Sequence, residues 1–86
     1  GEISGSRVEA RFAQLFLKLG DRMGQPEGGC VFVPLTLTRQ DLADLAGTTM
    51  ETSIRVMSRW NREGLVSTRP DGFLVQDRTR LEERAR

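Results

Sequence analysis

Two short helical patterns that meet at Gly47 restrict what this chain can fold into more than any other feature of its 86 residues. Thr38-Arg39-Gln40-Asp41 reads as a helix start, because a threonine hydroxyl can accept from free amide groups and Asp41 lies near the positive end of the helix dipole. Leu42, Leu45 and Ala46 then form a short stripe expected to be buried. Gly47 stops that helix, and Thr48-Thr49-Met50-Glu51 starts another at once, with Thr48 and Glu51 at capping-box spacing. The second segment runs to about Glu63. It places Val56, Met57 and Trp60 on an apolar side and Glu51, Arg55, Ser58 and Arg62 on a polar one. Two helices joined by a turn of about three residues, the second with an apolar back and a polar front, make a helix-turn-helix. Ala43 is small where the helices cross, Gly47 supplies the permissive backbone the turn needs, and Val56 fills the space between them. Ser53 departs from this pattern, since its core-facing position ordinarily carries a branched apolar side chain.

The flanking segments extend the motif. Val8, Phe12, Leu15, Phe16, Leu19 and Met23 recur at steps of three and four, which predicts an amphipathic helix from Arg7 to Met23. Gly24-Gln25-Pro26-Glu27-Gly28-Gly29 ends it as a loop. Cys30-Val31-Phe32-Val33 is β-branched and aromatic, and Pro34 forces a sheet edge or a bend before Leu35-Thr36-Leu37, so one or two short strands are expected here. After Gly64, Leu65–Arg69 and Phe73–Val75 flank the turn residues Pro70-Asp71-Gly72 and read as a hairpin. Asp77 can cap a last short helix through Ala85. A hairpin behind a helix-turn-helix is a wing, so residues 7–86 are expected to form one winged helix-turn-helix domain. Its class is α+β, mainly α, with about four helices and a small antiparallel sheet. Gly1 to Ser6 read as the end of a linker or a cloning remnant.

Composition narrows the function classes. Thirteen Lys plus Arg against twelve Asp plus Glu give a net charge of +1, so a nucleic-acid surface would have to be local. Histidine and tyrosine are absent and Cys30 is the one cysteine, which removes disulfides, Cys/His zinc sites and histidine general-base chemistry. No catalytic residue, metal ligand or cofactor-binding residue is therefore assigned. Cys30 reads as a small buried apolar residue, and the pairs Asp41/Asp44 and Glu82/Glu83 as solvated faces. Trp60 and Phe73 fall on apolar stripes and read as core. No apolar run approaches the roughly 20 residues of a bilayer span, so a soluble, cytoplasmic protein is expected.

At this point the residues resemble a family. Leu37-Thr38-Arg39-Gln40-Asp41-Leu42-Ala43-Asp44-Leu45-Ala46-Gly47, followed by Glu51-Thr52 and Arg55, looks like the DNA-binding domain of the cyclic-AMP receptor protein and fumarate-nitrate reduction regulator (Crp/Fnr) superfamily. The likeness covers nearly the whole chain, from Val8 through the wing to Asp77. It implies the C-terminal part of a dimeric bacterial transcription regulator, whose effector-binding β-roll and long dimerisation helix are missing from these residues. It also implies double-stranded DNA with inverted-repeat half-sites as partner, a helix over 49–63 in the major groove, and RNA polymerase as a further partner. The effector is not named by this segment.

The resemblance assigns roles residue by residue. Arg55 would read guanine, its planar fork matching the O6 and N7 acceptors, while Glu51 would accept from a cytosine amino group. Their alternative is an i,i+4 ion pair, and Glu51 could also simply complete a helix cap. Met50 stands where the cyclic-AMP receptor branch has arginine and could touch a thymine methyl. Ile54 is bulky beside the same face. Thr49 and Thr52 match family positions that hold phosphate oxygens, positioning the helix without specifying sequence. Apart from the resemblance, Thr38, Arg39 and Gln40 begin the first short helix, where free amides and a basic side chain can hold a phosphate, with a cap alone as the other reading of Thr38. Arg69, before the wing turn, reads either as a solvated arginine or as a phosphate contact. The alternative class is a winged helix that uses the same outer stripe for protein contacts, which the near-neutral charge keeps open. An enzyme is a distant third.

Overall fold

The computed structural model describes residues 2–86, with side chains from Arg7 onward. Four helices and four short strands follow the order α1 (Glu2–Met23), β1 (Gln25–Glu27), β2 (Cys30–Val33), α2 (Arg39–Ala46), α3 (Met50–Glu63), β3 (Val66–Arg69), β4 (Gly72–Val75) and α4 (Arg78–Arg84). The strands form one antiparallel sheet in the order β1-β2-β4-β3. This is the expected winged helix-turn-helix. Helix α1 starts ahead of Arg7, and Gly1, the first residue of the linker reading, lies outside the described residues.

The core forms where α1, α3 and the sheet converge. Phe12, Phe16 and Trp60 are fully buried, Phe73 is nearly so, and Phe16 meets the Phe73 ring edge-on at 5.1 Å between centroids. Trp60 takes Phe12 edge-on at 6.3 Å, the arrangement favoured by the ring quadrupoles. Leu42, Ala46, Val56, Met57 and Leu81 belong to the same cluster, with Val33, Leu65, Val66 and Val75 entering it from the sheet side and Ala13 from α1. Trp60 and Phe73 are thus core residues, as their stripes require.

Local structure departs from the expectations at several points, each with a cause. The capping box at the start of α2 forms between Thr38 and Asp41. Leu45, however, is 59% exposed, and the buried face is Leu42, Ala43 and Ala46. At 3.6 residues per turn Leu45 falls roughly a third of a turn from the middle of that arc, and Ala43 takes the inner position instead. The cap of α3 is Thr49, whose hydroxyl accepts from the Thr52 amide; the Thr48/Glu51 box does not form. The reason lies one residue earlier. Gly47 adopts φ 70°, ψ 44°, and the Thr48 amide still donates to Ala43 O at 2.9 Å, so Thr48 closes α2 and cannot open α3.

The segment 24–29 is not all loop. Gln25–Glu27 pairs with Cys30–Val33, while Leu35–Leu37 is not a strand. All three residues of β1 are exposed, so no apolar alternation announced it. Cys30 is half-buried, with its thiol 3.8 Å from Gln76 O. In the wing, Gly72 lies so close to β2 that an added Cβ would stand 2.0 Å from Val33 O. That approach seats β4 against β2 and fixes the hairpin beside α3.

Candidate nucleic-acid interface

Helix α3 is capped at both ends and anchored along one side. Thr49 closes its start, and Gly64, at φ 74°, ends it. Ser53, Val56, Met57 and Trp60 form the buried arc, which turns Glu51, Arg55, Ser58 and Arg62 to solvent. The anchor is stronger than packing alone. The buried indole Nε1 of Trp60 donates to Glu9 Oε2 at 2.8 Å, and the same carboxylate takes Arg84 at 3.0 Å and Arg59 at 3.2 Å. Arg84 also donates to Glu63 at 3.0 Å. This network ties α3 to α1 and α4. A buried indole N–H requires an acceptor, but sequence alone does not say which of twelve carboxylates supplies it.

The three residues assigned to bases share the outer side of the first two turns of α3. Among the side-chain hydrogen bonds and ion pairs of the described residues neither Glu51 nor Arg55 takes part, so the i,i+4 ion pair between them is not formed. Both charged groups are exposed and one turn apart. Met50 and Ile54 are each 47% exposed. Arg62 donates to Ser58 Oγ at 3.1 Å further along the same stripe.

The residues assigned to phosphates are spread over three elements. Thr38 sits at the start of α2, and Gln40 donates from Nε2 to Asp44 Oδ1 at 2.9 Å. Thr49 and Thr52 lie together at the start of α3, with their hydroxyl oxygens 3.1 Å apart. Arg39 reaches the wing and donates to Thr68 Oγ1 at 2.9 Å. Burial pulls its pKa below the ordinary arginine value, yet a guanidinium stays charged at neutral pH. It lines an open recess of about 280 Å³ with Ile54, Met57, Ser58, Asn61 and Thr68, between α3 and the wing. Arg69 is held within the wing. Its guanidinium is paired with Glu27 and lies 5.9 Å from the centre of the Phe32 ring.

A family model described as a Crp-like helix-turn-helix domain matches residues 10–84. The chain belongs to that family. This Crp-like domain is 33% identical over 79 residues to a CRP-like cAMP-activated global transcriptional regulator of Mycobacterium tuberculosis, with 92% of this chain and 35% of that protein covered. It is 36% identical over 75 residues to the transcriptional activatory protein AadR of Rhodopseudomonas palustris, covering 87% and 31%. The chain thus spans about a third of the curated relatives it matches. Among solved structures, a CRP/FNR-family transcriptional regulator from Thermus thermophilus superposes with a TM-score of 0.75 at 27% identity, over 90% of this chain and 39% of that one. Oxidized CprK in complex with o-chlorophenolacetic acid shares the fold, with a TM-score of 0.85 at 19% identity over 91% and 33%. Membership of this family, with relatives named as transcriptional regulators, supports DNA binding in transcription regulation over a winged helix confined to protein contacts. No helix among the described residues is long and apolar enough to cross a membrane.

Proposed function

We propose that this Crp-like domain reads double-stranded DNA by laying α3 in the major groove, with Arg55 on guanine and Glu51 on the cytosine amino group of a G·C pair. The observation that carries this reading is the pair of exposed, mutually unpaired charges one turn apart on a helix whose opposite side is locked to α1 and α4. Charges already paired would have to exchange partners before meeting a base edge, at a cost of a few tenths of a kcal/mol. Here the guanidinium fork and the carboxylate keep their bonding capacity, and each finds its complement on one base pair. Met50 stands beside them at the first turn.

Thr38, Arg39, Gln40, Thr49, Thr52 and Arg69 take the phosphate contacts that fix register. Arg39 has donors to spare beyond the one on Thr68, and Thr49 and Thr52 stand where the N-terminus of α3 would approach a strand. Arg69 would share its guanidinium between Glu27 and the backbone of the DNA. The domain works in a homodimer of the full-length protein on inverted repeats with a TGA-like core, and RNA polymerase is its further partner. Its task is binding, without catalysis. Titration of a labelled duplex pool at two salt concentrations tests this. DNA binding that weakens steeply with salt is expected, whereas retention of a partner protein with no measurable DNA affinity at low salt would show an interaction module instead.

A further inference from the structure

Three large apolar side chains among the described residues are strongly exposed: Leu45, Met50 and Ile54. The last two share α3, one turn apart, inside the stretch that carries Glu51 and Arg55. Helix α3 does not use them for packing, since its buried arc is Ser53, Val56, Met57 and Trp60. Three residues advance a helix by roughly 300°, so Ile54 sits about 60° round from Glu51, in line with Met50 four residues before it. That side leads to the wing, because Ile54 also lines the recess shared with Arg39 and Thr68.

Two half-exposed side chains flanked by charges cannot support a protein interface, which takes about 800 Å² from each partner. They match something smaller. The C5-methyl of thymine is the apolar group that base edges display in the major groove. We propose that Met50 and Ile54 form one apolar ridge that reads thymine methyls next to the G·C pair, with Ile54 as a specificity-determining residue. This rests on the placement of α3 in the groove. Isoleucine suits the role because branching at Cβ holds its χ1 in one well, so little freedom is lost on contact. It also rejects alternatives: a cytosine at the same position would turn its amino donor onto an apolar surface and leave it unpaired.

The test uses the full-length dimer on its selected half-site, with each thymine replaced in turn by deoxyuridine. This change removes the C5-methyl and keeps every hydrogen-bonding group. Binding about fourfold weaker is expected at one or two thymines, the equivalent of about 0.8 kcal/mol for one buried methyl group. Ile54→Ala should abolish that sensitivity at one position and Met50→Ala at another, while the demand for the G·C pair stays. Indifference to deoxyuridine at every thymine, with the G·C demand intact, would overturn methyl reading and leave the placement of α3 standing. Sensitivity that persists in both variants would overturn the assignment to these residues. Loss of sequence preference altogether, in the unaltered protein, would overturn the placement of α3 and this inference with it.

Discussion

Removing the carboxylate of Glu9 should loosen α3 more than any surface charge change. Glu9 Oε2 accepts from the fully buried Trp60 indole at 2.8 Å and from Arg84 at 3.0 Å, while Arg59 stands 3.2 Å from Oε1. Its side chain is only 17% exposed. In Glu9→Ala the indole N–H is left buried without an acceptor, a loss of about 1.5–3 kcal/mol for a charge-assisted bond. Arg59 and Arg84 are 46% and 33% exposed, so solvent screens them and each adds no more than about half a kcal/mol. The sum is about 2–4 kcal/mol. For a domain of this size each kcal/mol moves Tm by about 4–8 °C, so a fall of roughly 8–32 °C is expected. Glu9→Gln keeps an acceptor for Trp60 and should lose about 1 kcal/mol. Thermal unfolding followed by circular dichroism and by the fluorescence of Trp60, the single tryptophan, reads both changes. A Glu9→Ala protein melting within about 3 °C of the parent, or a glutamine variant as damaged as the alanine one, would refute the anchoring role.

Ser53 is fully buried with no hydrogen-bond partner for Oγ, so Ser53→Ala should raise stability by about 1 kcal/mol in denaturant titration; a loss would reveal a bond from the hydroxyl to the preceding turn. Gly72→Ala should cost more than about 2 kcal/mol, since its Cβ would meet Val33 O, and an unchanged unfolding midpoint would deny the close approach of β4 to β2. Arg39→Ala should weaken binding to all sequences alike and flatten the salt slope by about one unit, whereas Arg55→Ala should cost roughly 1–3 kcal/mol on the cognate site and relax one position. Identical signatures for the two variants would contradict their separation into phosphate and base contacts.

Most of the fold could be read from periodicity and punctuation. The stripes of α1 and α3 and the glycine between α2 and α3 each specify local structure by a rule that tertiary contacts did not override. The wing turn, by contrast, is Pro70-Asp71 alone, because Gly72 pairs with Arg69 as the first residue of β4, and Leu65 stays outside β3. Where contacts decided, the reading slipped. Leu45 is apolar and at helical spacing, but an eight-residue helix has few turns over which to define a face, and Leu42, Ala43 and Ala46 take its buried side. Thr48 and Thr49 are chemically equal candidates for the cap, separated only by how far the left-handed Gly47 carries the chain. Strand β1 carries no apolar signal because both its faces are exposed, and its pairing with β2 is what creates it. The outward stripe of α3 was readable residue by residue, since exposure follows directly from the buried arc opposite. The grip on Arg39 by Thr68, on Arg69 by Glu27 and on Trp60 by Glu9 was not, because each joins residues at least 29 positions apart.

The most direct measurement is selection of half-sites from a random-sequence pool by the full-length protein, run in parallel with Arg55→Ala and Glu51→Gln. A carboxylate facing the acceptors of a wrong base would be repelled and desolvated, so Glu51 acts partly by exclusion. Recovery of an inverted repeat with a G·C pair at one fixed position is expected, with that position relaxed in Arg55→Ala and discrimination loosened more than affinity in Glu51→Gln. A half-site made only of A·T pairs, or a preference unchanged in Arg55→Ala, would contradict the reading of DNA by α3.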